Sequence, residues 1–261
     1  MGQGGGHILM MLGIVQARAS STRLPNKVLM PILGASMLAR QLERLKRCKR
    51  IDKLVVATST DASDDAVETQ ARLAGVDAWR GSLDDVLDRF VDAARAHGAA
   101  HVVRLTGDCP LADPAVIDAT IALYRQSGAD YASNTNPPTF PDGLDVEVTS
   151  MAVLERAWRE ATKPSEREHV TLYIHQNPDK FRLANHASAR DLSHLRWTVD
   201  KSEDFTFVSA VYAALYPGKP DFDTQDILDL LEQEPSLGRQ NAHIARNEGL
   251  AASLRADHDR K

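Results

Sequence analysis

Three cations stand close together near the start of the chain: Arg18, Arg23 and Lys27. They follow an apolar run, Met10 to Val15, that reads as a buried strand and breaks at Gln16. Ser20, Ser21 and Thr22 lie among them, and Pro25, which has no N–H to give a central strand, stiffens the far end of the loop. A polyanion entering here would meet fixed positive charge, hydroxyl donors and loop amides together, and the residue kinds suit a nucleoside triphosphate. The stretch is not the Gly-rich G-x-x-x-x-G-K-S/T loop that cradles phosphates with backbone amides; here charged side chains would do more of the work. A solvated basic turn between strand and helix is the plain alternative.

Carboxylates supply the opposite charge. Gly107 permits close backbone approach after a strand, and Pro110 fixes the turn. Asp108 then points from a rigid corner into a cleft, unless it serves as a helix cap or turn residue. Asp200 ends a strand from Leu195 to Val199 and precedes a helix beginning near Ser202, where N-cap work is the competing use. Asp145 and Glu147 alternate with Leu144, Val146 and Val148, so they share one face of a period-two strand. They grip a hydroxylated substrate, hold a metal, or form a solvated face. That Asp-x-Glu keeps a metal-dependent glycosyltransferase open as a rival class. Arg167, Glu168 and His169 lie early in a helical stretch, to bind a substrate carboxylate or simply decorate the helix. Asp85 and Arg89 are spaced for ordinary i,i+4 pairing. Cys109 is a poor magnesium ligand, since magnesium prefers oxygen.

The elements that must position these residues follow an α/β rhythm. Helical spacing runs over Met37–Leu45, Asp64–Ala74 and Asp84–His97, the last two ending at Gly75 and Gly98. Asp113-Pro114 starts another helix, with Asp as N-cap and Pro in the first turn. Lys53–Ala57, Val76–Trp79, His101–Leu105 and Ala129–Ser133 read as strands. Alternation at this spacing predicts a mostly parallel sheet with helices on both faces. In such sheets ligands bind beyond the carboxyl ends of the strands, where the first loop, Thr58-Ser59, Arg80-Gly81 and Gly107-Asp108 all fall. The rhythm changes at Asn134 to Gly143, a long loop rich in Pro and turn formers. Met151–Ala161 and Glu166–Gln176 then read as helices, and Phe181–Ala187 and His194–Val199 as strands. From Ser202 the chain is helical, interrupted at Tyr216–Pro220, and frays from about Arg255. Trp158 and Trp197 read as core.

The chain has 261 residues, 43% of them hydrophobic, which fits one large α/β domain or one domain with an inserted lobe. A net charge of -5 gives no global basic field for nucleic acid. The two cysteines, Cys48 and Cys109, make neither a disulfide framework nor a metal pattern, and fit a reducing, cytoplasmic setting. Nine histidines show no zinc spacing. No stretch approaches the roughly 20 apolar residues of a membrane span. Ile8 to Val15 lacks the flanks of a signal peptide, residues 1–7 read as a disordered leader, and Met10 or Met11 would be a natural alternative start.

The order Arg18-x-x-Ser21-x-Arg23-Leu24-Pro25-x-Lys27 resembles the N-terminal signature of sugar-activating cytidylyltransferases, and the CMP-Kdo synthetases carry a near match. The chain most resembles the SpsF-type proteins (spore coat polysaccharide biosynthesis protein F), from about Leu12 to the C-terminal region. Ala57-Thr58-Ser59, Arg104 to Leu111 (RLTGDCPL), Gly143 to Val148 (GLDVEV), Arg167 to Val170 (REHV) and Arg196 to Asp200 (RWTVD) carry the likeness in order. The resemblance implies a Rossmann-like, mostly parallel nucleotide-diphospho-sugar transferase sheet of the GT-A-like kind with a small β-containing lobe. It implies a single nucleotidyltransferase domain over residues 8–261, with 134–199 as an inserted lid or dimer lobe, and a homodimer. The implied reaction is CMP transfer from CTP to an acidic sugar or related acid, with release of pyrophosphate. Arg18, Ser21, Arg23, Lys27, Thr58 and Asp108 would hold the nucleotide, and Arg80, Ser82, Asp85 and Arg89 match the base-recognition region. Asp108 and Asp200 match ligands of Mg2+, although the CMP-Kdo synthetases usually carry Glu where this chain has Cys109. Asp145, Glu147, Arg167 and His169 are left for the acceptor.

Overall fold

The structure, a computed structural model, describes residues 9–259, so the expected leader at 1–7 lies outside the described residues. In chain order the elements are β1 (Met11–Gln16), β2 (Pro31–Ile32), β3 (Ala35–Ser36), α1 (Met37–Leu45), β4 (Lys53–Ser59), α2 (Asp65–Leu73), β5 (Asp77–Gly81), α3 (Val86–Ala96) and β6 (His101–Thr106). There follow α4 (Pro114–Ser127), β7 (Tyr131–Ser133), β8 (Glu147–Ser150), α5 (Met151–Glu160), α6 (Pro164–Glu168), α7 (Leu172–His175) and β9 (Leu183–Asn185). The chain closes with α8 (Ser202–Leu215), α9 (Thr224–Gln233), α10 (Pro235–Gly238) and α11 (Glu248–Asp259).

One seven-stranded sheet in the order β5-β4-β1-β6-β8-β7-β9 organises the chain, with β2 and β3 forming a small separate hairpin. β5, β4, β1 and β6 are parallel neighbours, whereas β8 runs antiparallel to both β6 and β7. The central strand explains the layering. Met11 and Val15 of β1 face one core, with α1, α2, α4, α8 and α9 behind it. Leu12 and Ile14 face the other, built on α3 and α5. A parallel strand covered on both faces reads as an unbroken apolar run because both sets of alternating side chains are buried. The helices start where side chains take up orphan amides: Ser36, Asp85, Asp113 and Ser150 cap α1, α3, α4 and α5.

The later segment departs from the sequence reading in four places. Glu166–Gln176 is not one helix. It breaks into α6 and α7 at Val170, whose φ of 49° is costly for a β-branched residue, with its side chain fully buried in the α3/α5 core. Residues 194–199 are not a strand. Their backbone pairs with loops instead, through Asp142 N–H to Leu195 O at 2.9 Å, Trp197 N–H to Asp142 O at 2.6 Å and Val199 N–H to Asp108 O at 2.8 Å. The period-two strand expected from Leu144 begins only at Glu147. The residues expected to fray from Arg255 belong to α11 as far as Asp259. The segment 134–199 contributes β8 and β9 to the main sheet.

Phe90 on α3 is fully buried against the sheet. Phe90→Ala should destabilise the fold by about 3–5 kcal/mol through lost transfer and an unfilled cavity. Chemical denaturation followed by circular dichroism would show this as a lowered midpoint with an unchanged slope.

Candidate active site

The first loop is held from both sides. Ala17 N–H bonds to Ala57 O at 3.2 Å, and Gly107 N–H bonds to Gln16 O at 2.7 Å. Gly107 has no alternative here, because a Cβ would stand 2.9 Å from Ala17 Cβ and 3.0 Å from Gln16 O. The buried Asp64 carboxylate accepts from Ala19 N–H at 2.6 Å and Ser59 N–H at 3.0 Å, stitching the loop to the end of β4. Asn26, with φ 59°, then turns the chain inward into a short 3-10 turn that begins at Lys27.

Lys27 is 7% exposed. Its Nζ donates to Val199 O at 2.6 Å and Asp200 Oδ1 at 2.9 Å, and lies 3.5 Å from Asp108 Oδ2. The two aspartates therefore meet at one buried ammonium. Burial pushes the Asp108 carboxyl up, but Lys27 and hydrogen bonds from Thr106 and Cys109 outweigh it and hold it below the usual carboxylate range. Asp200 does not cap α8. Asp204, inside the helix, accepts from Asp200 N–H at 2.9 Å and Lys201 N–H at 3.0 Å, which frees the Asp200 side chain. Asp200 instead meets Arg23 at 2.7 Å and Arg196 at 3.3 Å as well as Lys27. Arg196 is buried and forks to Asp204 at 2.8 Å and Asp142 at 2.9 Å.

Around this junction lies a cleft of two connected lobes. A cavity of about 620 Å3 is lined by Arg18, Ser21, Arg23 and Lys27, and one of about 370 Å3 by Asp142, Asp145, Glu147 and His175. Arg104, Asp108, His169 and Asp200 line both. The larger lobe sits beyond the carboxyl ends of β1 and β6, the place where parallel sheets of this kind bind nucleotides.

The cytidylyltransferase family model matches residues 12–245. The chain belongs to the cytidylyltransferase family. It is 33% identical over 236 residues, 88% of this chain and 97% of the relative, to the spore coat polysaccharide biosynthesis protein SpsF of Bacillus subtilis. A solved cytidylyltransferase from Leptospira borgpetersenii serovar Hardjo-bovis superposes with a TM-score of 0.85 at 33% identity, covering 91% of this chain and 100% of that one. The structure of CMP:2-keto-3-deoxy-manno-octonic acid synthetase complexed with CTP shares the fold, with a TM-score of 0.61 at 18% identity over 78% of this chain and 98% of that one. The seven-stranded α/β sheet is thus the nucleotidyltransferase architecture of the family.

Within this cytidylyltransferase the residues singled out from sequence divide into two groups. Arg18, Ser21, Arg23, Lys27, Asp108, Asp145, Glu147, His169 and Asp200 all line the cleft. Thr58, Arg80, Ser82 and Arg167 do not. Thr58 is fully buried at the end of β4. Arg80 pairs with Asp65 at 2.5 Å and Glu68 at 3.1 Å on the outer edge of the sheet, and donates to Ser59 O and Asp61 O. Ser82 Oγ accepts from Asp85 N–H at 3.0 Å. Arg167 closes the end of α6, rather than opening a helix, and grips Asp85 with three contacts between 2.5 and 3.0 Å. Asp85 therefore pairs across elements and not with Arg89 one turn on. Glu147 is no solvated strand residue: Arg104, Tyr131 and Thr171 occupy both its oxygens. The Arg104–Glu147 pair follows from register, since the two residues stand opposite each other on β6 and β8.

Sequence reading did not select Arg104, Asp142, Arg196, Arg246 or His175. Arg104 and Arg196 open two of the matched segments, so a search for cations beside each acidic motif would have found them. Arg196→Ala should destabilise the protein by about 3–5 kcal/mol, because it leaves the buried Asp204 without a cation and takes a shared charge from Asp142 and Asp200. Thermal unfolding measured from pH 5 to 8 would check this, with the loss shrinking at the acid end as the stranded carboxylates protonate.

Proposed function

We propose that this cytidylyltransferase transfers CMP from CTP to a hydroxyl of an acidic sugar or related acid, releasing pyrophosphate. The observation that carries the reading is the buried Lys27 ammonium bridging Asp108 and Asp200 at the junction of the two lobes. In the larger lobe Arg18, Ser21, Arg23 and Lys27 hold the triphosphate. The smaller lobe takes the acceptor, and Arg104 and Arg23, which line both lobes, are the cations that a carboxylate on the acceptor would meet. An acceptor oxygen attacks the α-phosphorus as the bond to the bridging oxygen of pyrophosphate breaks. Such a step needs positioning and charge stabilisation more than a covalent nucleophile. Lys27 is placed to follow negative charge as it moves onto the leaving group.

Asp108 and Asp200 offer hard carboxylate oxygens that already converge on a cation, without histidine or cysteine, and this donor set fits magnesium once phosphate oxygens and water complete the shell. Magnesium held there would polarise the α-phosphate and lower the acceptor's pKa. A glycosyltransferase using Asp145 and Glu147 for its metal is disfavoured, because Glu147 is spent on Arg104, Tyr131 and Thr171. The homodimer and the cytoplasmic setting belong to the same proposal and rest on the family; no helix among the described residues is long and apolar enough to cross a membrane.

Pyrophosphate release with each of the four NTPs and a panel of acidic sugars tests the reading. CTP should be the preferred substrate; equal use of UTP would overturn the base assignment, and CTP binding without release would mark an inert relative. Asp108→Asn should lower kcat by about 100-fold or more while leaving the thermal midpoint within a few degrees. Lys27→Ala should raise the KM for CTP and lower kcat together. A folded Lys27→Ala protein with unchanged kinetics would remove the loop from the mechanism.

A further inference from the structure

We infer that Asp145 is the general base that takes the proton from the acceptor hydroxyl as it attacks the α-phosphorus. The inference rests on the transfer reading above and assigns a step that reading leaves open. Six carboxylates line the smaller lobe: Asp108, Asp142, Asp145, Glu147, Asp200 and Glu248. Five of them are spent. Glu147 is filled by Arg104, Tyr131 and Thr171. Asp142 lies between Arg196 at 2.9 Å and Arg246 at 3.9 Å. Asp200 meets Arg23, Lys27 and Arg196. Asp108 faces Lys27 and accepts from the Cys109 thiol. Both oxygens of Glu248 face Lys201, at 3.2 and 2.9 Å.

Asp145 differs. Arg246 holds its Oδ1 at 2.6 Å, and Oδ2 has no partner among the described residues. The side chain keeps 30% of its surface open, so a ligand in the lobe can reach it. An anchored carboxylate with one free oxygen, lining the same lobe as Asp108 and Asp200, can accept the proton of a hydroxyl bound there. Its surroundings make it a stronger base than an ordinary aspartate. Burial pushes the carboxyl up, Asp142, Glu147 and Asp108 add to this, Arg246 opposes, and it titrates at about 7. Asp200, Arg104, His169 and His175 also line the lobe. His175 is the rival base; burial and Arg104 keep it below the ordinary histidine value and so neutral.

The step balances without a further reactant. The acceptor oxygen bonds to the α-phosphorus, its proton passes to Asp145 Oδ2, and the bond to the bridging oxygen breaks with its electron pair leaving on pyrophosphate. The proton then returns to solvent.

The test uses the full chain with magnesium chloride and CTP, reading pyrophosphate release to water or to any acceptor from the panel that supports turnover. Asp145→Asn keeps the bond from Arg246 and should lower kcat by about 100-fold or more without changing CTP affinity. In the wild type, log kcat should rise with pH up to about 7 and then level. That acid limb should vanish in Asp145→Asn and persist in His175→Asn. A limb intact in Asp145→Asn, or lost in His175→Asn instead, overturns the base assignment alone. CTP binding with no release from the wild type overturns the transfer reading, and the assignment falls with it.

A readout free of turnover stands beside these. A carboxyl near 4 when unfolded and about 7 when folded costs stability that grows as pH rises between those values. The thermal midpoint of Asp145→Asn should therefore gain on that of the wild type from pH 5 to 8. A constant difference would show that Asp145 titrates as an ordinary aspartate and overturn its role as base.

Discussion

Arg196 sets the distances on which the cleft depends. Its guanidinium is buried among Asp142, Asp200 and Asp204, and its backbone carbonyl accepts from Asn241. Burial works against that charge, but the three carboxylates outweigh it and hold the guanidinium well above the ordinary arginine value. A lysine could not do this, because only the planar fork of Arg reaches several carboxylates at fixed angles. Through one residue, side chain and carbonyl together, the 140s loop, the approach to α8 and the segment around Asn241 are held in place. A cluster of buried charges contributes little net stability over a packed apolar core, and its value lies in fixing one arrangement. Asp200 is thereby anchored on one oxygen while its other oxygen faces Lys27 and Arg23.

That arrangement leaves the cations of the first loop in equilibrium with their own chain. Arg23 and Lys27 are both paired to Asp200, so on the proposed reading a triphosphate would compete with an internal carboxylate for both. The competition is cheaper than it first looks. Arg23 is partly exposed, with 37% of its side chain accessible, and gives up a screened pair. Lys27 is buried, and a phosphate replaces one anion with another without leaving the ammonium bare. A site prepared this way avoids the repulsion that three unpaired cations would exert on one short loop.

Legibility in the sequence followed the range of the interactions. The parallel half was readable because each strand and helix there is set by local periodicity and caps, as at Asp113 and the buried run of β1. Lys27 and Asp108 reach the cleft from the short turn and the strand end that the sequence suggests, whereas Asp200 reaches it without the strand expected before it. Arg80 and Arg167 misled for the same reason in reverse. Their positions match a binding pattern, but Asp65, Glu68 and Asp85 come within reach only once α2 and α3 are folded against the sheet. The break at Val170 and the loop pairing of residues 194–199 depend on tertiary hydrogen bonds that no window of sequence contains. The use of Glu147 stayed open in the sequence because its partner, Arg104, lies on another strand.

The reversal of β8 within an otherwise parallel neighbourhood has a consequence for how the two halves of the cleft can diverge. β1 and β6 bring their last residues, Gln16 and Thr106, to the larger lobe, so that wall is written at the ends of strands and in the tight loops after them. β8 runs the other way and brings its first residue, Glu147, and the run just before it, Asp142 to Val146, to the same rim. The wall of the smaller lobe is therefore written in the long loop that enters a strand. Asn134 closes the base of that loop, accepting from Val146 N–H at 2.8 Å and donating to Leu144 O at 2.7 Å, just ahead of the register that pairs Arg104 with Glu147. If the two lobes divide acceptor from nucleotide as proposed, a change in what is accepted falls on a different stretch of chain from the grip on the nucleotide.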